Sequence, residues 1–106
     1  MWIFLKNSFL SIVDKGDPTG KTLLVRARKA GDIEAVFADA RVSEGLGTDY
    51  RYRARINRNE VAKRIAEEIG LITYANFKSA VCKHMRHEAY MDVWDSMYRF
   101  QQNEAR

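Results

Sequence analysis

A chain of 106 residues with 46% apolar residues, 11% aromatics and a formal charge of +4 has the size of one ordinary domain and enough apolar content for one core. Its single cysteine excludes an internal disulfide framework, and no apolar run approaches the roughly 20 residues needed to cross a bilayer. The expectation is a cytoplasmic protein with no membrane partner, whose positive balance favours acidic partners.

The apolar opening Met1-Trp2-Ile3-Phe4-Leu5 has no positively charged start and no small-residue cleavage site after it, so it does not read as a signal peptide. Residues 2–5 and 8–14 are β-prone runs separated by Lys6-Asn7, the pattern of a tight hairpin. In the second run Phe9 and Val13 share one face and Leu10 and Ile12 the other, as expected of a strand that is central or covered on both sides.

The segment Lys15-Gly16-Asp17-Pro18-Thr19-Gly20-Lys21-Thr22 is a turn by composition, and its Gly20-Lys21-Thr22 end matches that of a phosphate-binding P-loop. The match fails on spacing, because three residues separate Gly16 from Gly20 where the motif has four. It fails again on context, because a strand pattern follows where phosphate binding needs a helix N-terminus. That strand, 22–28, points Leu23, Val25 and Ala27 inward and Leu24, Arg26 and Arg28 outward.

Gly31-Asp32 predicts the start of a short helix with Ile33, Val36 and Phe37 as its buried stripe. Arg41-Val42 fits a short edge strand, and Gly45-Leu46-Gly47-Thr48 a flexible connection. From Asp49 strict alternation puts Tyr50, Tyr52, Ala54 and Ile56 on one face and Arg51, Arg53 and Arg55 on the other. Asn57 with Glu60 then resembles a capping box. The helix it opens carries Val61, Ala62, Ile65, Ala66 and Ile69, with Gly70 as a left-handed cap and Lys63–Glu67 and Arg64–Glu68 as pairs on the water side.

Residues 74–85 and 88–101 read as two further helices or one bent helix, with Phe77, Ala80, Val81 and His84 striping the first. Tyr90, Val93, Trp94, Met97 and Tyr98 give the second the strongest helical period in the chain. Gln102 to Arg106 is expected to fray. The layout is one α+β domain over 1–106: a sheet core with two helices in 1–72, a helical pair in 73–101 and a tail in 102–106.

In chain order this predicts an antiparallel or mixed sheet of four or five strands. A right-handed helical crossover would set 49–56 parallel to 22–28, giving a ferredoxin-like split β-α-β core with C-terminal helices. Arg26, Arg28, Arg51, Arg53 and Arg55 would then all project from the face away from the crossover helix.

The chain also resembles a set of small bacterial and phage-type proteins without assigned activity. The likeness lies in Met1 to Phe4, the Gly-Thr-Asp-Tyr-x-Tyr-Arg-Ala segment Gly47 to Ala54, the Asn-Phe-Lys helix start at Asn76 to Lys78, and Val93 to Tyr98. It implies a compact domain and no catalytic residues.

Among candidate sites the arginine face stands first, because a guanidinium presents a planar fork of donors to phosphate or carboxylate oxygens. Its blander counterpart is a solvated or internally paired face that blunts a sheet edge. Base stacking on Tyr50 and Tyr52 is disfavoured, since in this register they lie opposite the arginines and belong to the core.

Cys82, His84 and His87 are the only grouping of metal-ligand types. Cys82 lies about 200° from His84 at about 100° per residue, so the three cannot converge on an unbroken helix. No metal or other cofactor is expected.

The favoured reading is a non-enzymatic module that engages an acidic protein surface or nucleic acid through those five arginines, as a phage-type inhibitor of a host complex would. Its rivals are a small enzyme using His84 or His87 in a pocket beside the C-terminal helices, and a structural homodimer joined through Tyr90, Trp94 and Tyr98.

Overall fold

The computed structural model describes every residue except Leu46 and Arg106. The chain forms two compact units, Met1–Thr73 and Tyr74–Arg106.

Strands β1 (Trp2–Leu5) and β2 (Ser8–Val13) flank a two-residue turn at Lys6-Asn7 and pair with Leu5 opposite Ser8. β2 continues antiparallel to β3 (Thr22–Ala27) through the glycine-rich turn. Gly16 and Gly20 take left-handed φ of 88° and 70°, which a side chain would resist. Asp17 organises the turn: its carboxylate accepts bonds from the amides and hydroxyls of both Thr19 and Thr22. These hold its pKa well below the ordinary carboxylate value, because each donor favours the charged form.

The five-stranded sheet has the order β1-β2-β3-β5-β4, with β4 at Ser43–Glu44 and β5 at Tyr52–Asn57, and every pairing is antiparallel. The fold is thus α+β as expected. The parallel pairing of β3 with β5 is not found, and the ferredoxin-like order built on it loses that support.

The reason lies in which strand receives the crossover. β3 and β4 both run antiparallel to β5 and therefore run in the same direction as each other, two positions apart. The chain crosses from β3 to β4, then folds back and lays β5 in the slot between them. The edge strand expected at Arg41-Val42 lies two residues on, at Ser43–Glu44.

The crossover is a series of turns and not the expected helix. Ala35 and Phe37 amides still bond the carbonyls of Gly31 and Ile33, and Ile33, Val36 and Phe37 are buried as their spacing predicted. Asp32 does not cap a helix here. Its carboxylate accepts from the Phe9 amide and its carbonyl from the Ser8 hydroxyl, which ties the crossover to β2.

The core lies on one face of this sheet. Leu10, Ile12, Val25, Ala27 and Ala54 meet Ile33, Val36 and Phe37 of the crossover and Val61 of helix α1 (Arg58–Gly70). Each fully buried aliphatic side chain contributes about 1.5–3 kcal/mol through removal from water.

Asn57 caps α1 by accepting from the amides of Asn59 and Glu60, but the reciprocal half of the expected capping box, donation from the Asn57 amide to the Glu60 carboxylate, is not formed among the described residues. Gly70 is not left-handed: it is the last helical residue, and Leu71 caps the helix in a right-handed conformation. Arg64, and not Lys63, bonds Glu67; it reaches Glu68 as well and donates to the Val36 carbonyl, fastening α1 to the crossover.

In the second unit the helix expected over 74–85 is reduced to α2 (Phe77–Ala80), capped by Asn76, and after three non-helical residues α3 (His84–Glu104) begins four residues before the expected start at 88. α3 runs three residues into the expected tail, through Gln102, Asn103 and Glu104; Arg106, part of that tail, lies outside the described residues, as does Leu46 of the expected flexible connection. Phe77 stacks on Tyr90 at 5.8 Å between ring centres, and the His87 Nδ1 donates to the Lys78 carbonyl at 3.0 Å. Among the described residues no helix is long and apolar enough to cross a membrane.

Candidate functional site

The face of the sheet away from the core is built by register. Residues opposite one another on neighbouring antiparallel strands project to the same side. Trp2 is opposite Ser11, Ser11 opposite Arg26, Arg26 opposite Arg53 and Arg53 opposite Ser43. One continuous row therefore crosses all five strands, with an indole at one end, two arginines side by side near the other, and hydroxyls between and beyond them. Phe4 opposite Phe9 begins the next row on one side, and Val13, Leu24 and Arg55 form the row on the other.

Like charges directly opposite on a sheet are destabilising, and Arg26 and Arg53 are both half-buried. Their Nε atoms are buried without a hydrogen-bond partner among the described residues. Arg26 is partly served, donating to the Ser11 hydroxyl at 2.8 Å. The other charges on this side are tied up locally. Arg28 pairs with Asp49, and Arg51 with Glu44. Arg55 donates to the Thr22 hydroxyl and the Lys15 carbonyl, holding the glycine-rich turn.

Sequence alternation thus located the face but not its grouping. Arg26 and Arg53 come together in one row; Arg28 lies nearby, Arg55 is turned to the Lys15 loop, and Arg51 sits outside β5, engaged by Glu44.

Tyr50 is buried, as alternation predicted, but outside the main core cluster: β5 begins only at Tyr52, and the Thr48 hydroxyl bonding the Tyr50 carbonyl belongs to the turn before it. Tyr50 lies beneath the arginines, with the guanidinium carbons of Arg26 and Arg28 at 4.5 and 4.1 Å from its ring centre. Cations over a buried aromatic ring gain about 0.5–2 kcal/mol, which partly offsets their mutual repulsion. Tyr52 does pack against the core.

Sequence reasoning missed the aromatic end of the row. Trp2 is 69% exposed and meets Phe9 edge-on at 6.4 Å, while Phe4 stacks on Phe9 at 4.6 Å. The signal was available: a two-residue hairpin at Lys6-Asn7 forces Phe4 opposite Phe9 and Trp2 opposite Ser11.

The remaining candidates are dispersed. His84 is exposed in the first turn of α3, His87 is bonded to the Lys78 carbonyl, and the exposed Cys82 thiol lies 3.7 Å from the Ala80 carbonyl. Among the described residues no three His, Cys, Asp or Glu side chains are grouped to hold a metal ion. The Tyr90, Trp94 and Tyr98 stripe divides. Tyr90 is buried against Phe77, with the Arg86 guanidinium donating to its hydroxyl. Trp94 and Tyr98 stack on each other at 5.3 Å and stay half-exposed, with the Lys78 ammonium 4.4 Å from the Trp94 ring centre.

An open cleft in the first unit is lined by Arg41, Asn57, Glu60, Arg64 and Glu67 among others, with charges of both signs. Comparison of the chain with protein-family models, with curated proteins and with solved structures returns no match.

Proposed function

We propose that the chain is a cytoplasmic, non-enzymatic binding module whose open sheet face engages an acidic partner. The observation that carries this reading is the Arg26–Arg53 pair: two half-buried guanidiniums, directly opposed, each with a buried Nε lacking a partner among the described residues. Among the described residues only Arg26 of the two is served, by the Ser11 hydroxyl and the Tyr50 ring, whereas an oxyanion laid across both guanidiniums would relieve their repulsion. A phage-type inhibitor occupying a host complex is the version of this reading that rests on the sequence resemblance.

Elution from an immobilised polyanion along a salt gradient tests it. Arg26→Gln with Arg53→Gln is expected to elute at clearly lower salt than the wild type. A control carrying Lys29→Gln and Lys63→Gln removes the same charge from exposed positions and is expected to move much less. Equal shifts in the two double variants would reduce the effect to net charge and sink the site.

Homodimerisation through α3 is a second reading, favoured by the exposure of Trp94, Met97, Tyr98 and Phe100 along one helix. Mass in solution at high concentration decides it, and a strict monomer eliminates it.

A further inference from the structure

The aromatic end and the arginine end of the sheet face belong to one row, and this arrangement specifies a partner more narrowly than charge does. On an acidic protein surface a carboxylate and a flat ring are not linked at a fixed repeat. A nucleic acid strand offers both phosphates and bases, and only an unpaired strand exposes its base faces for stacking. We infer that the row Trp2–Ser11–Arg26–Arg53–Ser43, with Phe4 and Phe9 beside it, binds single-stranded nucleic acid. This rests on the reading of the arginine face as a binding surface and names its occupant.

The geometry assigns a role to each part. Trp2 is the most open ring on this face and is steadied by its edge contact with Phe9, which the stacked Phe4 ring backs in turn. A base laid on Trp2 replaces water on an apolar ring. With strands about 4.8 Å apart, Arg26 lies about 10 Å from Trp2 across the sheet and Arg53 one strand beyond it. A short stretch of backbone leading away from the stacked base therefore brings its phosphates over the two arginines. Arg26 and Arg53 are each only half-buried, so part of each side chain stays accessible to those phosphates; the buried Ser11 hydroxyl holds Arg26 in place, and the exposed Ser43 adds a hydroxyl that can donate to a phosphate or sugar oxygen.

The row also explains why a duplex fits less well. Paired bases keep their faces within the helical stack, so the indole would contribute nothing, and a flat row of two arginines would meet only one backbone. Stacking on an aromatic side chain is worth about 1–3 kcal/mol per base, so Trp2 is expected to matter as much as either arginine.

The test uses the full chain with Trp94→Phe as background, which leaves Trp2 as the only tryptophan. A short labelled oligothymidine, an abasic oligomer of the same length and polyglutamate are titrated in turn, with anisotropy and indole emission read together. The inference expects oligothymidine to bind, to weaken steeply with salt and to quench Trp2. It expects Trp2→Ala to weaken oligothymidine binding about tenfold while leaving the abasic oligomer unchanged. Arg53→Gln, checked for native circular dichroism, is expected to weaken both oligomers, and Arg26→Gln repeats the measurement should Arg53→Gln not fold.

Equal binding of the two oligomers with no quenching overturns the stacking role and leaves the acidic-partner reading standing. Arg53-dependent binding of polyglutamate alone overturns a nucleic-acid occupant in favour of an acidic protein. Binding of none of the three overturns both readings.

Discussion

The two faces of the sheet are made by the same strands and obey opposite rules. On one, Leu10, Val25 and Ala54 are sealed by the chain's own crossover and by Val61 of α1. On the other, the same strands raise Ser11, Arg26 and Arg53, and donors are left without acceptors. A face closed from within is explained by folding, and the electrostatically incomplete face is the one on which the proposed partner would sit. Substitutions on the two faces should therefore differ in sign as well as in size.

The largest effect is expected from Leu10→Ala, since Leu10 is fully buried at the centre of the closed face. Loss of its contacts and the cavity left behind should lower unfolding stability by about 2–5 kcal/mol, read from urea denaturation. A loss below about 1 kcal/mol would mean that the core is not where the sheet puts it.

Next comes Gly16→Ala, which probes how the open face is anchored. Its φ of 88° disfavours any side chain, and a Cβ would stand 2.6 Å from the Arg55 Nη2 that donates to the Lys15 carbonyl. About 1–2 kcal/mol should be lost from the left-handed backbone alone, with Arg55 displaced from the loop. Thermal unfolding checks the first, and a changed polyanion elution the second.

The comparison is broken most directly by Arg53→Met. If the open face is kept for a partner, this variant should be as stable as the wild type or more stable by up to about 1 kcal/mol, because it removes a like-charge pair and a buried unsatisfied donor. Binding to polyanions should fall in the same protein. A clear loss of stability in chemical denaturation would show instead that Arg53 is scaffold.

The smallest effect concerns acid. The lowered pKa of Asp17 means that its stabilising contribution is fully present above the ordinary value of 3.8 and is lost as pH falls through the folded value. The stability gap between wild type and Asp17→Asn should therefore narrow as pH drops below 3.8, with denaturation midpoints as the readout. A gap constant with pH would mean that the four donors at Asp17 do not favour its charged form.

Local instructions in the sequence were legible, and the order of strands was less so. Lys6-Asn7, the alternation from Tyr52 to Ile56 and the Asn57 cap each act within a few residues, and each appears where its chemistry put it. The direction of β5 depends on which later strand takes the crossover. That role fell to two polar residues, Ser43 and Glu44, which carry no apolar alternation of their own. Tyr50 is buried as alternation predicted, but its place against Arg26 and Arg28 was not legible, because alternation holds only within a strand and the chain around Thr48 is still turning. The arginines were legible as a face, but their division into a central pair without a carboxylate partner among the described residues and locally neutralised flanks needed Asp49 and Glu44 to be brought beside Arg28 and Arg51.

The slot between β3 and β4 has a consequence for how the chain assembles. β1, β2 and β3 pair with their sequence neighbours, so their contacts close short loops, whereas the β3–β5 ladder joins Thr22 to Asn57. Contacts distant in sequence form more slowly because loop-closure entropy must be overcome first. The first three strands should therefore gather early, with β4 and β5 arriving later as a preformed hairpin that docks against β3. Pulse-labelled hydrogen exchange during refolding should protect the amides paired between β2 and β3 before those paired between β3 and β5; the reverse order would refute this route. The Arg26–Arg53 row is on this view among the last parts of the sheet to exist, so the open face is completed only after the core beneath it has begun to form.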